Sequence, residues 1–395
     1  MSELYWDPFD VDIDTDPYAI WARLRNEAPA YHNTELGFYA LSRFDDVEPA
    51  HRDVKTFLSG HGTVLEIMSS EPLSTKQLMF LDPPDHTRLR ALVSRAFTPR
   101  RVAALEDRIR EFCVELLEPL ADRSRFDFIR EFAALLPSQV ISSLLGVPVV
   151  DRDMLRGHIE TMFHIEPGVG MINDVSFSAQ LAINAYIRDQ LDECRENPRD
   201  DMLTDLVQAQ VAEDDGTTRH LTRSEAADFG SLLISAGTET VSKVLGSAAV
   251  LLADHPDQRA DLVADPGLIP NAVEELLRYE APSPVTGRWT SRDLEYHGVP
   301  IPGGSKVLLL AGSANRDDRH YPDGDRFDVR RSFDVHLSFG HGAHFCIGAA
   351  LARMEVRIAL EEMFARFPEW EVDTAAMVRL HTSTVRGYSE LPILV

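Results

Sequence analysis

A proline-free stretch between Thr222 and Pro256 constrains the fold of this chain more than any other feature of the sequence. Thr222 and Glu225 have the spacing of a capping box, in which two residues satisfy free N–H groups at the start of a helix. The stretch therefore predicts one helix of roughly 32 residues, which at 1.5 Å per residue is about 48 Å long. A helix of that length is enough to cross a whole domain.

The other patterns predict a mainly α fold with a smaller β portion. A short amphipathic helix is expected over Tyr18–Arg25, and Thr98-Pro99 predicts the start of a helix that runs through VAALEDRIREFCVELLEPL. Strands are expected over Gly37–Arg43, in pieces of Leu294–Gly312 and in the C-terminal LPILV. No repeat, low-complexity tract or Gly/Ser linker divides the sequence, so we interpret residues 1–395 as a single domain.

Composition narrows the possible partners. The formal net charge of −25 argues against general binding to nucleic acids or anionic membranes. No run of about 18 apolar residues is present, so we expect no membrane anchor. The acidic start MSELYWDPFDVDIDTDP lacks the basic-then-apolar pattern of a signal peptide. We take the chain to be a monomer.

The three cysteines provide no disulfide framework, which favours a reducing, cytoplasmic location. Cys113 falls on the apolar side of its predicted helix and is expected in the core. Cys194 lies in the polar segment LDECREN and is expected to be an ordinary helix residue. Only Cys346 has a setting that suggests chemistry.

Cys346 lies in FGHGAHFCIG, among three glycines and two histidines, just before a helical pattern. A thiolate there could be a metal ligand, a nucleophile or a filler in the core. Zinc would usually need more Cys or His ligands at short spacing, and a nucleophile would need an oriented base, an option that stays open. Gly340, Gly342 and Gly348 remove side chains where the backbone could approach a flat cofactor, and a helix N-terminus favours an anionic sulfur.

This segment, continuing into Leu351-Ala352-Arg353, resembles the haem-binding loop of the soluble bacterial cytochromes P450. The resemblance implies the cytochrome P450 fold and a b-type haem (iron protoporphyrin IX) without a covalent link to the porphyrin. Cys346 would be its axial thiolate ligand. The residues of this loop that the resemblance assigns to the cofactor are Phe339, Gly340, His344, Cys346 and Gly348.

The resemblance extends over essentially the whole chain. Glu275 and Arg278 match the E-x-x-R motif, and the family pattern implies that they form a buried structural network with Arg331. An exposed i,i+3 pair is the alternative. The two haem propionates require cationic or hydrogen-bonding partners. The residues that match the family's propionate ligands are His86, Arg90, Arg288 and His344.

The long helix contains the segment Ala236-Gly237-Thr238-Glu239-Thr240. The small residues Ala236 and Gly237 would let the helix backbone lie near a ligand on the distal side of the haem. Glu239 and Thr240 resemble the family's acid–alcohol pair, which implies a role in delivering the protons that cleavage of the O–O bond requires. The alternative for a threonine inside a helix is a hydrogen bond to the preceding turn.

The segments that match the family's pocket walls are mostly apolar, which favours a hydrophobic substrate such as a lipid, terpenoid, steroid or polyketide. Plain core packing is the alternative for each of them. A hinge for a lid is expected at Pro167-Gly168-Val169-Gly170. The candidate pocket residues are Val64, Leu65, Ile67, Met68, Met162, Phe163, Ile165, Met171, Ile172, Leu233, Val285, Thr384 and Val385.

The resemblance implies a haem-thiolate monooxygenase that uses O2. Its electrons would come from a separate ferredoxin and ferredoxin reductase, and indirectly from NAD(P)H. The segment His86–Arg101 holds five arginines and no acid, and Arg88, Arg95, Arg100 and Arg101 are candidate contacts for an acidic ferredoxin. A same-fold peroxygenase that uses H2O2 and a non-catalytic haem-based binding protein remain the alternatives.

Overall fold

The computed structural model describes residues 4–94, 97–163, 170, 172–212, 216–332 and 334–395. Helices dominate it and strands form a smaller portion, so the predicted fold class is confirmed. Within the described residues, no helix has both the length and the apolar character needed to span a bilayer. In chain order the helices are α1 (Val11–Thr15), α2 (Tyr18–Glu27), α3 (Phe44–Arg52), α4 (Asp85–Val93), α5 (Pro99–Ala103), α6 (Glu106–Leu117), α7 (Leu135–Leu145), α8 (Arg152–Met162), α9 (Asp174–Glu196), α10 (Met202–Gln208), α11 (Arg223–Asp254), α12 (Pro256–Ala264), α13 (Ile269–Tyr279), α14 (Ala311–Ala314) and α15 (Ala349–Arg366).

The strands form one five-stranded sheet and several smaller ones. They are β1 (Ala30–Asn33), β2 (Phe38–Leu41), β3 (Phe57–Leu58), β4 (Arg125–Asp127), β5 (Gln210–Ala212), β6 (Thr218–His220), β7 (Thr286–Thr290), β8 (Leu294–Tyr296), β9 (Val299–Ile301), β10 (Lys306–Leu309), β11 (Glu371–Val372), β12 (Val378–His381), β13 (Arg386–Glu390) and β14 (Pro392–Leu394). The largest sheet has the order β1-β2-β10-β7-β3, and only its β2–β10 pair is parallel. The predicted helix at Tyr18 and the predicted strands correspond to α2, β2, β8–β10 and β14.

The long helix α11 is the central element of the fold. Thr222 and Glu225 form the predicted capping box, and the helix has 32 residues, which agrees with the predicted length. Its buried residues contribute to two apolar clusters, one shared with α6, α13 and α15 and the other with α8 and α9. The helix therefore joins the two halves of the apolar core.

The helix predicted after Thr98-Pro99 is two helices, α5 and α6, so the prediction of one continuous helix was wrong. Thr98 caps α5 as expected. The helix breaks at Leu105, whose N–H group bonds the Val102 carbonyl oxygen three residues back. Val102 in α5 and Ile109 in α6 are both buried in one core cluster, which is a tertiary contact that helical spacing alone does not reveal.

The two cysteines outside the glycine-rich loop are both buried. Cys113 on α6 lies in the core, as predicted. Cys194 is a helix residue of α9, as predicted, but it is buried in spite of its polar sequence context. The Arg199 guanidinium donates a hydrogen bond to its Sγ at 3.1 Å. Neither thiol belongs to the site around Cys346.

Candidate active site

The loop Phe339–Gly348 presents Cys346 at the start of α15. Gly340 and Gly342 have φ values of +66° and +71°, a conformation that residues with a side chain rarely adopt. The Cys346 N–H group donates to the Phe339 carbonyl oxygen at 2.8 Å, which closes the loop. Helix α15 begins at Ala349, three residues after Cys346. The predicted position of the thiol at a helix N-terminus is therefore confirmed.

The Cys346 side chain is exposed, although the surrounding protein is close enough for burial to raise the pKa of the thiol. A hydrogen bond from the Gly348 N–H group and the charges of Arg90 and Arg353 act in the opposite direction. The Cys346 side chain is therefore accessible in spite of the protein that surrounds it. The thiolate would be stabilised there by a nearby cation and a backbone donor.

The three loop glycines do not share one role. A Cβ atom at Gly342 would lie 3.0 Å from the Arg52 Cα atom and the His51 carbonyl oxygen, so this glycine lets α3 pack against the loop. At Gly348 the nearest atom would be Cys346 Sγ at 4.0 Å, and at Gly340 it would be the His344 carbonyl oxygen at 3.6 Å. Open space beside the sulfur is therefore found at Gly348, whereas Gly342 serves the packing of the protein itself.

The four predicted propionate ligands converge beside this loop. The imidazole rings of His86 and His344 are 4.1 Å apart between centroids. Arg90 Nη2 donates to the Phe345 carbonyl oxygen at 2.6 Å. Burial lowers the pKa of Arg288 to about 10, and burial followed by the charge of Arg288 lowers that of His344 to about 2. The site thus places the positive charges of Arg90 from α4 and Arg288 from β7 beside the neutral His344 ring of the cysteine loop.

No carboxylate of the described residues forms an ion pair with this cluster, although the charge of Asp82 acts on both Arg288 and His86. His86 is buried, and neither of its ring nitrogens has a hydrogen-bond partner there. Arg288 is buried as well, and its one recorded hydrogen bond goes to the adjacent Gly287 carbonyl oxygen at 2.8 Å. Asp82 accepts the N–H groups of Ser59 and Gly60 at 2.8 and 2.9 Å. Buried cations are stable when they are paired, so these residues fit the carboxylates of a haem.

Helix α11 exposes a short segment of small side chains within its largely buried length. Ala236 is exposed and Thr240 is partly exposed. Thr240 Oγ1 donates to the Ala236 carbonyl oxygen at 3.1 Å, which is the back-bonded geometry that the sequence left as an alternative. A Cβ atom at Gly237 would lie 2.9 Å from Ile141 Cγ1, so Gly237 lets α7 pack on α11. Ala236 is therefore the small residue that leaves room on this face.

Glu239 forms a buried ion pair that sequence reasoning missed. Its Oε2 atom lies 2.8 Å from Lys243 Nζ, and both side chains are at most 10% exposed. Gly387 makes room for the lysine, because a Cβ atom there would lie 2.6 Å from Lys243 Cδ. The i,i+4 spacing on α11 was a signal for this pair. Lys243 therefore holds the Glu239 carboxylate on one side of the helix.

Glu275 and Arg278 on α13 lie in a fully buried network. The Arg278 Nε and Nη2 atoms donate to the two Glu275 oxygens at 2.7 and 2.9 Å. Arg331 Nε donates to Glu275 Oε1 at 3.3 Å, and Arg278 Nη1 also donates to the carbonyl oxygens of Asn315 and Gly324. Both α13 side chains are 0% exposed, which differs from an exposed i,i+3 pair.

The candidate pocket residues divide between two apolar clusters. Leu65, Met68 and Val285 belong to one, and Leu233 with the partly buried Met162 and Phe163 belongs to the other. Val385 is buried, Val64, Ile67 and Thr384 are partly exposed, and Ile172 is 49% exposed beside the start of α9. Ile165, Met171 and the hinge residues Pro167, Gly168 and Val169 lie outside the described residues.

The positive charge of the basic segment His86–Arg101 is partly neutralised by acidic side chains. Arg88 lies 3.3 Å from Asp85 Oδ1, and Arg101 forms an ion pair with Asp205. Arg100 is exposed, and Arg95 lies outside the described residues. The pairing with Asp205, from α10, joins residues more than 100 positions apart and was not visible in the sequence.

Known proteins are similar to this chain in both sequence and fold. A family model described as Cytochrome P450 matches residues 171–386. The chain is 40% identical to the putative cytochrome P450 123 of Mycobacterium tuberculosis over 396 residues, which cover all of this chain and 97% of the relative. It is 37% identical to the vitamin D(3) 25-hydroxylase of Pseudonocardia autotrophica over 385 residues, which cover 96% of this chain and 93% of the relative. A solved mutant of P450 EryK, from S. erythraea, in complex with erythromycin B has a TM-score of 0.88 and 34% identity, with 96% of each chain covered.

Proposed function

This chain belongs to the cytochrome P450 family of monooxygenases, and we propose that it inserts one atom of O2 into a hydrophobic small molecule. The observation that carries the proposal is the accessible Cys346 thiol in a site with two unsatisfied buried groups. Arg288 forms no ion pair in the described structure, and the ring nitrogens of His86 have no hydrogen-bond partner there. Haem b, bound through the Cys346 thiolate, would supply the iron that activates dioxygen. All other groups of the proposed site are side chains and backbone atoms of the protein.

The cysteine loop and its neighbours would hold the cofactor. The Gly348 N–H group stabilises the thiolate by a hydrogen bond. Arg90 and Arg288 supply charge for the propionates, and His86 and His344 supply ring N–H donors. Since protein groups leave Arg288 without an ion pair in the described structure, a bound carboxylate would supply the missing partner.

On α11, Glu239 and Thr240 would handle protons. Thr240 Oγ1 holds its proton in the hydrogen bond to the Ala236 carbonyl oxygen. Rotation about the Cα–Cβ bond would turn this O–H group away from the helix and towards a ligand. Lys243 keeps the neighbouring Glu239 carboxylate in place, where it would accept a proton and pass it on.

The substrate is proposed to be a lipid, terpenoid, steroid or polyketide. Apolar walls with few polar groups favour such a ligand. One relative is named a vitamin D(3) 25-hydroxylase, and the EryK structure contains erythromycin B, both of which support an organic small molecule. The buried Leu65, Met68, Leu233, Val285 and Val385 are the proposed walls.

The electron donor is proposed to be a ferredoxin with its reductase. The exposed Arg100 and the half-exposed Arg88 support a docking role for the basic segment, although Arg88 shares its charge with Asp85. All three cysteines are free, which supports a reducing cytoplasmic location. We further propose that residues 1–395 form one domain and act as a monomer.

The test is the spectrum of the reduced, CO-bound protein. The wild type and the control variant Cys194→Ala are expected to give the red-shifted Soret band of thiolate ligation. Cys346→His is expected to give the band of imidazole ligation. An imidazole-type band from the wild type would contradict the proposal. Turnover only with peroxide would favour a peroxygenase, and a thiolate band without substrate oxidation by a competent electron donor would favour a binding protein.

A further inference from the structure

Helix α3 is fastened to the cysteine loop by its last turn. Gly342 has no side chain where the loop meets the backbone of His51 and Arg52. His341 Nε2 lies 3.2 Å from Glu48 Oε1, which adds a polar contact between the same two elements. His51 is therefore placed at the boundary between α3 and the site, although it is far from Cys346 in sequence.

The His51 imidazole is 4% exposed, and neither of its ring nitrogens has a hydrogen-bond partner among the described residues. A buried polar group without a partner is costly, and such groups are rare in folded proteins. Burial, followed by the charges of Arg288 and His341, lowers the pKa of His51 to about 3. The ring is thus neutral at neutral pH and carries one N–H donor.

The groups around His51 are basic side chains or carboxylates that already have other partners. Arg288 and His341 interact with it electrostatically, and His51 in turn affects His344. Asp82, whose charge acts on Arg288, accepts two backbone N–H groups. Glu48 pairs with His341 and Arg52. No carboxylate of the described residues accepts a hydrogen bond from the His51 ring.

We infer that His51 is a further binding residue for the carboxylate of the cofactor, alongside the four ligands expected from the sequence. The inference rests on the proposed haem site. His51 donates its ring N–H group to one propionate, and the propionate in turn neutralises the charge of Arg288 next to it.

The experiment measures transfer of haem from the holoprotein to excess apomyoglobin. His51→Leu is expected to release haem about 10- to 100-fold faster, because a hydrogen bond to a charged group is lost. His51→Gln keeps a donor and is expected to be intermediate. His255→Gln is the control, because His255 lies at the end of α11 and bonds the Leu251 carbonyl oxygen. An unchanged rate in His51→Leu overturns the inference.

A second measurement distinguishes a hydrogen bond from His51 to a propionate from a packing role of its ring. The wild type and His51→Leu are reconstituted with haem in which one or the other propionate is esterified. The effect of His51→Leu is expected to vanish with one monoester and to persist with the other. Equal effects with both monoesters and with native haem would mean that His51 only fills space, which overturns the inference. A wild type without the thiolate spectrum would instead mark a failure of the proposed function.

Discussion

Two buried arginines of this protein differ in how their charges are compensated. Arg278 is 0% exposed, and its five hydrogen bonds go to Glu275 and to the carbonyl oxygens of Asn315, Gly324 and Arg326. Arg288 is 4% exposed, and its recorded hydrogen bond goes to its own neighbour, Gly287. The Arg278 charge is compensated within the protein. The Arg288 charge has no ion-pair partner in the described structure.

The comparison separates a structural site from a binding site on physical grounds. A buried charge that the fold satisfies can be retained for stability alone. A buried charge that the fold leaves without an anion costs free energy, and this cost is recovered when an anion binds. On the proposed haem site, the Arg288 cluster with His86 and His51 would serve ligand binding, whereas the Arg278 network belongs to the fold.

The largest expected effect comes from Arg278→Met. It removes five hydrogen bonds and leaves the Glu275 carboxylate buried with less compensation, so the free energy of unfolding should fall by about 3–5 kcal/mol. Urea unfolding followed by circular dichroism measures it. Arg326→Met is the control, since the Arg326 side chain is 69% exposed and its removal should change the free energy by less than about 0.5 kcal/mol. Equal losses in both variants would contradict a structural role for Arg278.

Arg288→Leu should affect haem retention more than it affects the stability of the fold. Haem release should become about 10- to 100-fold faster, because a charged partner of a carboxylate is lost. The free energy of unfolding of the haem-free protein should stay within about 1 kcal/mol of the wild type or rise, because a buried unpaired cation is removed. Arg288→Lys keeps the charge and should recover part of the haem retention. A loss of stability as large as in Arg278→Met would remove the distinction between the two sites.

The smallest effect is expected at Glu274, beside the Arg278 network. Burial would raise the pKa of Glu274, but hydrogen bonds from His336 and Arg353 outweigh it and lower the pKa to about 2. The folded-state pKa is below the unfolded value, so the stabilisation is complete above about pH 4.5 and is lost as the pH falls towards 2. With a side chain that is 26% exposed, we expect about 1–2 kcal/mol after allowance for screening.

Glu274→Gln is the corresponding variant. Urea unfolding at several pH values should show a shallower loss of stability between pH 4.5 and pH 2 than in the wild type. Glu371→Gln is a control, because Glu371 is an exposed residue of β11. An unchanged pH dependence in Glu274→Gln would mean that its contacts with α15 do not stabilise the fold.

Features that depend on neighbouring residues were predictable. The capping box and the absence of proline predicted the full length of α11. The glycine-rich loop predicted a thiol at a helix N-terminus. The matching motif residues Glu275 and Arg278 are indeed in contact, since i and i+3 positions of a helix face each other.

Features that depend on residues distant in the sequence could not be predicted. The break at Leu105 follows from burial on two sides of the turn, and Gly237 is small because Ile141 of α7 packs against it. His51 had no signal in the sequence, because its role depends on how α3 meets the cysteine loop. Lys243 had the signal of i,i+4 spacing, but Gly387, which makes room for it, lies on another element.

The sequence by itself determined the helical frame, the family and the position of the Cys346 thiol just before α15, because capping, helix breaking and the geometry of a glycine-rich loop are set within a few consecutive residues. Only the tertiary structure decided which charges are satisfied. Arg278 and Arg288 look alike in the sequence, and their difference lies in the partners that other elements bring or fail to bring. Ionic pairing is a property of the space around a side chain, so it was settled only when the chain folded.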